Sequence, residues 1–406
     1  MNHLLEQFGS PLYVYDAEVI RDRINHLVDF KNTLEKSLDP ISISLHYSSK
    51  ANSNPAILKL VKEAGLSVDA MSPFELYLNE KCGFQNNNIL YVCNNIDEEE
   101  MRLVHDKDIL ICLDSISQVE MWGRMFPNTK IMIRINPNIK GVGHSSKVVT
   151  SGKETKFGIS EENFSLLFEV IHKYHLTLVG VHQHLGSLFL NDKISDYIDG
   201  VKASLDIIKR NFTDLEIIDL GGGFGVPYRP DELPLDFKLL SSLLLEVLKP
   251  FVLEYPSLKE IKFEPGRYIP CEAGTLVGKV NAIKYENGKY WIGTDLGMNQ
   301  LIRPSMYDAY HEVQFIYQDS NKTLEDVANI CGNVCESGDI IARDRNIKIP
   351  SVGDIVLVKN AGAYGYSMSS NYTGRARPCE VMIDKDKIFL IRKRETIEDL
   401  ESKIVW

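Results

Sequence analysis

The chain has 406 residues, 44% of them hydrophobic, 25% charged and 9% aromatic, and carries a formal net charge of −11. That composition excludes disordered and collagen-like classes, and the longest apolar runs fall short of the ~18 residues that a membrane-spanning helix needs. Acidic residues are in excess and no basic stripe could follow a phosphate backbone, so nucleic acid is not an expected partner.

In chain order, Leu12-Tyr13-Val14-Tyr15 reads as a first strand. Ser44-Leu45-His46-Tyr47-Ser48 comes next, and Asn54-Pro55 then opens a helix with apolar Ile57, Leu58, Leu60 and Val61, closed by Gly65. After the strand Gly65–Asp69, Ser72-Pro73-Phe74-Glu75 combines an N-cap serine, a proline at the first helical position and a capping-box glutamate, and Gly83 ends that helix. Further strands are expected at Asn88–Val92, Asp108–Leu113, Lys130–Ile135, Leu178–His182, Leu215–Leu220 and Glu260–Glu264, with helices near 160–175, 193–210 and 236–254.

Eight short apolar runs alternating with helices over ~225 residues match a (β/α)8 barrel, whereas a doubly wound sheet stops at five or six strands. The barrel is placed at 25–267. Beyond Arg267 the texture changes to period-two alternation with hairpin turns at Tyr285–Tyr290 and Asp384–Lys387, so 1–24 and 268–406 are read as an antiparallel β-rich domain. No internal repeat is evident. The seven cysteines are odd in number and lack a C-x-x-C pair, and the opening MNHLLEQFGSPLYVYD is not that of a signal peptide, which points to free thiols in a reducing cytoplasm.

A barrel enzyme builds its site on the loops after the strands, and reactive residues gather there. Lys50 lies just past the first barrel strand, Asp69 ends the second, and His182-Gln183-His184-Leu185-Gly186-Ser187 extends from the sixth. Gly221-Gly222-Gly223-Phe224-Gly225 extends from the seventh and Glu264-Pro265-Gly266-Arg267 from the eighth. A glycine turn lets backbone N–H groups approach an anion, Arg267 adds a fixed fork of charge, and Ser187 can donate to the same group. A dinucleotide fingerprint fails on spacing, because Val226 stands where the third glycine belongs; a tight turn without ligand is the plain alternative.

Desolvation at a barrel mouth would lower the pKa of Lys50 and free its amine for carbonyl chemistry, although a surface lysine is the default for its position alone. A reactive lysine, a phosphate site and a carboxylate, Glu264, able to face a pyridine nitrogen are together what pyridoxal 5′-phosphate (PLP) requires. His182 and His184 share a strand face, but no third ligand at recognisable spacing completes a metal site, so no metal is expected. His184 is read as a flat ring stacked on the cofactor, with a satisfied core histidine as the alternative.

These motifs resemble those of the fold-type III PLP-dependent decarboxylases over nearly the whole chain. The resemblance rests on Tyr47-Ser48-Ser49-Lys50-Ala51-Asn52, His184-Leu185-Gly186-Ser187, the glycine turn and Glu264-Pro265-Gly266-Arg267, in that order. It continues through Arg303-Pro304-Ser305-Met306-Tyr307, Cys335-Glu336-Ser337-Gly338-Asp339 and Gly362-Ala363-Tyr364-Gly365. It implies an alanine racemase-like barrel in which Lys50 carries PLP, Glu264 pairs with the pyridine nitrogen and His184 stacks on the ring. Asp69, Ser187, Gly221, Gly222, Gly223, Pro265, Gly266, Arg267 and Tyr364 are then implied to bind the cofactor. A head-to-tail homodimer is implied in which Cys335, as proton donor, and Glu336 enter the neighbouring subunit's site.

The implied reaction is decarboxylation of meso-2,6-diaminopimelate to L-lysine. Arg267, Arg303 and Tyr307 suit the distal carboxylate and Glu336 the distal ammonium, and Tyr364 is implied to bind the substrate as well as the cofactor. Ornithine, lysine, carboxynorspermidine or a carrier-linked glutamate are the alternative substrates, and a non-catalytic regulatory homologue the alternative class; intact Lys50, Glu264 and Cys335 argue against the latter. The chain departs from the family pattern at Ser48, at Ser72–Glu75, at Arg375-Ala376-Arg377-Pro378 and over Asn138 to Phe157.

Overall fold

The computed structural model describes residues 1–139, 142–143, 152 and 155–406, so much of the divergent 138–157 stretch lies outside the described residues. The chain divides into two compact units. One comprises Arg23–Val226 and Leu233–Arg267, the other Met1–Asp22, Pro227–Glu232 and Tyr268–Trp406.

The first unit is a closed barrel. Its strands are, in order, Ser42–Ser48, Ser67–Ala70, Ile89–Val92, Leu110–Leu113, Lys130–Asn136, Thr177–His182, Ile217–Asp219 and Glu260–Phe263. Each pairs in parallel with the next, and the eighth returns to the first with Phe263 opposite Leu45. Parallel neighbours cannot be joined by a hairpin, so each connection must cross over, and the helices expected from sequence supply the crossings.

Local chemistry explains where those helices begin. Asn54 accepts a hydrogen bond from the Ala56 N–H and starts Pro55–Glu63, whose proline needs no acceptor at that position and whose Ile57, Leu58, Leu60 and Val61 are buried. Ser72 accepts from the Glu75 N–H and starts Pro73–Lys81, while the Glu75 carboxylate reaches back to the Met71 N–H at 2.9 Å, one residue before the cap. Phe164–Lys173, Ile194–Asn211 and Phe237–Glu254 fill the three later helical regions. Phe30, Phe224, Phe237 and Phe263 interlock with neighbouring ring centroids 5.2–6.1 Å apart, which anchors the end of the glycine turn in the core.

In the second unit Leu12–Asp16 lies between Gly274–Glu286, antiparallel to it, and Cys379–Asp384, parallel to it. The hairpin Gly274–Glu286 to Lys289–Thr294 turns at Asn287-Gly288, both at positive φ (54° and 77°), as a two-residue turn between twisted strands requires. Cys379–Asp384 and Lys387–Arg392 form the second expected hairpin. The sheet is mostly antiparallel, with a further parallel pairing between Lys289–Thr294 and Glu325–Cys331. Leu12, Val14, Val277, Leu357 and Val381 share its core with Leu4 and Leu5 of the N-terminal helix. No helix among the described residues is long and apolar enough to cross a membrane.

Candidate active site

Parallel register sets the barrel site, because residues at matching strand ends become neighbours whatever their separation in sequence. Ser48 stands opposite Asp69, Arg134 opposite His182, and His182 opposite Asp219. A polar layer thus caps the C-terminal end of the barrel.

Glu264 is the centre of that layer, only 4% exposed. Burial pushes its pKa up, but the His182 imidazole that bonds to it, and after it Lys50, outweigh burial and hold the carboxyl below the usual carboxylate range. His182 Nε2 donates to Glu264 Oε2 at 3.1 Å, and Oε1 is buried with no hydrogen-bond partner among the described residues. A buried anionic oxygen without a donor is costly, and it is what a protonated ring nitrogen would satisfy.

Asp69 receives a 2.5 Å hydrogen bond from the Ser48 hydroxyl. Burial, and after it the Glu264 charge, raises its pKa to about 8 despite Lys50 and Ser48. Lys50 itself sits in the single turn Ser49–Ala51 directly after the first strand, half-buried. His184 is half-buried, and desolvation first and the Lys50 charge second hold its pKa well below the usual histidine range. Its Nδ1 accepts the Gly222 N–H at 3.2 Å, which fixes a neutral ring in one orientation.

The glycine turn is tight for stated reasons. Gly221, at φ 65°, donates its N–H to Asp219 Oδ1 at 2.8 Å, and Gly223 adopts φ 101°. A Cβ at Gly222 would lie 1.9 Å from the Glu264 carbonyl oxygen. Across from this turn, Arg267 donates from Nη2 to the Ser187 hydroxyl at 3.1 Å. Pro265 binds the Ser48 N–H through its carbonyl at 3.1 Å, which ties the Glu264–Arg267 segment to the first strand. Lys50, Asp69, His184, Ser187, Gly221–Gly223 and Glu264–Arg267 therefore all belong to one barrel end, and the glycine cradle and the open Glu264 oxygen fit a phosphate-bearing pyridine cofactor.

The remaining sequence-derived residues lie in the β-rich unit. Arg303 is 1% exposed, bonds through Nη1 to His311 Nε2 at 2.9 Å, and lies 4.6 Å from the Tyr228 ring centroid. Tyr307 ends the short helix Arg303–Tyr307 that Arg303 opens, and Tyr364 holds φ 56°. Cys335 is an exposed free thiol. Asp339 shapes the loop that carries it, accepting the Met298 and Val334 N–H groups at 2.6 and 2.7 Å. Glu336 accepts from the Tyr372 hydroxyl, and the two line a pocket of about 520 Å3 with Met298, Ile302 and Ser370.

Sequence reasoning missed three barrel residues. Asp219 sits where burial, then Glu264, raises its pKa well above the carboxylate range. Arg134 is buried and lies 4.4 Å from the Phe157 ring centroid, and Ser48 stands out in the sequence only as a departure from the family. The available signal was a charged residue within an apolar strand run. Asp219 and Glu264 also bring His182 two acidic neighbours, with donor atoms within 4.8 Å of one another, a cluster that spacing along the chain did not reveal.

The chain matches the pyridoxal-dependent decarboxylase pyridoxal-binding domain family over residues 24–271. It is 35% identical to the diaminopimelate decarboxylase of Methanothermobacter thermautotrophicus over 98% of this chain and 92% of that one. It is 31% identical to the enzyme of that name from Escherichia coli K12 over 97% and 93% of the two chains. The crystal structure of Methanocaldococcus jannaschii diaminopimelate decarboxylase in complex with L-lysine superposes with a TM-score of 0.87 at 31% identity, covering 99% of this chain and 94% of that one. That of the Helicobacter pylori enzyme, also with L-lysine, gives 0.87 at 29% identity over 99% and 98%. The chain belongs to the pyridoxal-dependent decarboxylases and, within them, to the diaminopimelate decarboxylase family.

Proposed function

We propose that this protein is a PLP-dependent carbon–carbon lyase that decarboxylates meso-2,6-diaminopimelate to L-lysine and CO2. The observation that carries the reading is Glu264, a buried carboxylate kept ionised with one oxygen open, beside Lys50 and across from a glycine cradle. PLP, when bound, supplies an electron-poor ring that takes up the electrons released as the carboxylate leaves.

The protein's own groups do the rest. Lys50 offers the amine that holds the cofactor, and Glu264 keeps a proton on the pyridine nitrogen. His184, neutral and oriented by Gly222, presents a flat face to the ring. Gly221–Gly223, Ser187 and Arg267 hold the phosphate, and Asp69 places a titratable carboxyl near the Lys50 amine. Tyr364 is assigned to the cofactor and the substrate. Arg303 and Tyr307 hold the distal carboxylate, with Arg267, and Glu336 the distal ammonium. Cys335 returns the proton to the carbon that lost CO2, a role suited to a thiol. Cys335 and Glu336 act in the neighbouring subunit of a homodimer, and the seven free thiols agree with a cytoplasmic location.

The deciding measurement is CO2 release from meso-diaminopimelate, lysine and ornithine by the PLP-loaded protein. Diaminopimelate should be the fastest substrate, and equal rates across the panel would remove the substrate assignment while leaving the chemistry.

A further inference from the structure

The β-rich unit contains a second concave site that the decarboxylation does not use. It is a pocket of about 310 Å3 whose lining includes Arg229, Asp308, Tyr310, Arg343, Asp344 and Arg345. The guanidinium carbons of Arg345 and Arg229 lie 3.6 and 4.5 Å from the centroid of the same ring, that of Tyr310. Two like charges therefore share one aromatic platform. Asp344 pairs with Lys289 rather than with an arginine of the pocket, and among the described residues Asp308 makes no ion pair with Arg229, Arg343 or Arg345. The Nε of Arg345 is buried without an acceptor among the described residues, while its Nη2 donates to the His311 carbonyl at 3.1 Å. Burial pushes the Arg345 pKa down, Tyr310 acts against it, and the Arg229 charge pushes it down further.

Clustered guanidiniums without a counter-carboxylate are stabilised by an oxyanion, which accepts their forked donors and cancels their repulsion, while the tyrosine face holds them in place. We propose that the Arg229–Tyr310–Arg345 pocket binds the oxyanion group of a small molecule, a phosphate or a carboxylate. The site is wired to Arg303. Arg345 bonds to the backbone of His311, whose ring Nε2 meets Arg303 Nη1 at 2.9 Å, and Tyr228, the neighbour of Arg229, lies under the Arg303 guanidinium. An anion that draws on Arg229 and Arg345 pulls on both supports of Arg303. The coupling to substrate rests on the proposed role of Arg303; the binding itself does not.

The test is calorimetric titration of the PLP-loaded protein, whose own phosphate site is filled, with inorganic phosphate and separately with succinate, against chloride at equal ionic strength. One saturable site per chain is expected, weakened at least about tenfold by Arg229→Gln and by Arg345→Gln. Binding of phosphate alone marks a phosphorylated ligand, of succinate alone a carboxylate ligand, and of both a general oxyanion site; each supports the proposal. Absence of saturable binding by either anion, or equal binding by both variants and wild type, overturns it. If Arg345→Gln fails to fold, the exposed Arg229→Gln carries the comparison. If neither anion binds and Arg229→Gln changes the sedimenting mass, the pair is a contact between copies and the proposal falls. The bound anion should change KM for diaminopimelate at least twofold in wild type and not in the variants. Binding without that change refutes the coupling alone, and loss of all decarboxylation of diaminopimelate in wild type points instead to the substrate reading.

Discussion

Glu264 is a carboxylate that burial alone would protonate and that its neighbours keep charged. Replacing it with glutamine preserves shape and removes the charge, so Glu264→Gln should lower kcat by about a hundredfold or more while the cofactor still binds, as steady-state rates and the visible absorption band would show. Lys50→Ala should abolish that band in PLP-supplemented protein; a wild-type protein that never develops one would sink the cofactor assignment. Asp69 gives a pH prediction with a definite sign. Its pKa in the fold, about 8, lies above the ~3.9 of an unfolded chain, so the folded state binds the extra proton between those values and stability falls as pH rises through that window. Asp69→Asn removes that loss, and the melting temperature of the cofactor-free variant should gain on wild type between pH 5 and pH 8. An unchanged gap would show that the carboxyl is already ionised.

At the scale of elements, the glycine turn after the seventh strand depends on the phenylalanine that ends it. Phe224 is buried among Phe30, Phe189, Phe237 and Phe263 and plugs the end of the turn. Phe224→Ala should cost about 3–5 kcal/mol by urea denaturation and weaken cofactor binding beyond what the stability loss explains. The loop carrying Cys335 and Glu336 depends in the same way on Asp339, which bonds to two backbone N–H groups of different segments. Asp339→Ala leaves both donors unpaired, with an expected cost of about 1–3 kcal/mol. Activity should fall further than it does in a variant of equal stability elsewhere.

For the whole molecule, the homodimer proposal makes a prediction that no single chain can satisfy. Lys50→Ala and Cys335→Ala chains, each inactive, should recover up to about a quarter of wild-type activity when mixed and reassembled, because half of randomly paired dimers are mixed and each has one intact site. No recovery would count against shared sites. How much of this was legible in the sequence differs by kind of residue. Lys50, His184, Gly221–Gly223 and Glu264–Arg267 stand in short contiguous motifs, and the strand count placed each at a barrel mouth. Ser48, Arg134 and Asp219 were not legible as site residues, since each gains its meaning from a parallel neighbour far along the chain.

The amino-acid sequence by itself determined the alternation of strands and helices, the caps at Asn54 and Ser72, the hairpin turns and the residue types of the cofactor site, because these arise from local periodicity, turn chemistry and contiguous motifs. Only the tertiary structure decided which way each buried acid is shifted. Glu264 is held below the ordinary carboxylate range and Asp219 is pushed above it because the fold sets His182 and Lys50 about the first and buries the second beside Glu264, and that choice depends on distances and desolvation that no linear spacing encodes. The same holds for Arg229, Tyr310 and Arg345, three ordinary positions until folding stacks them over one pocket.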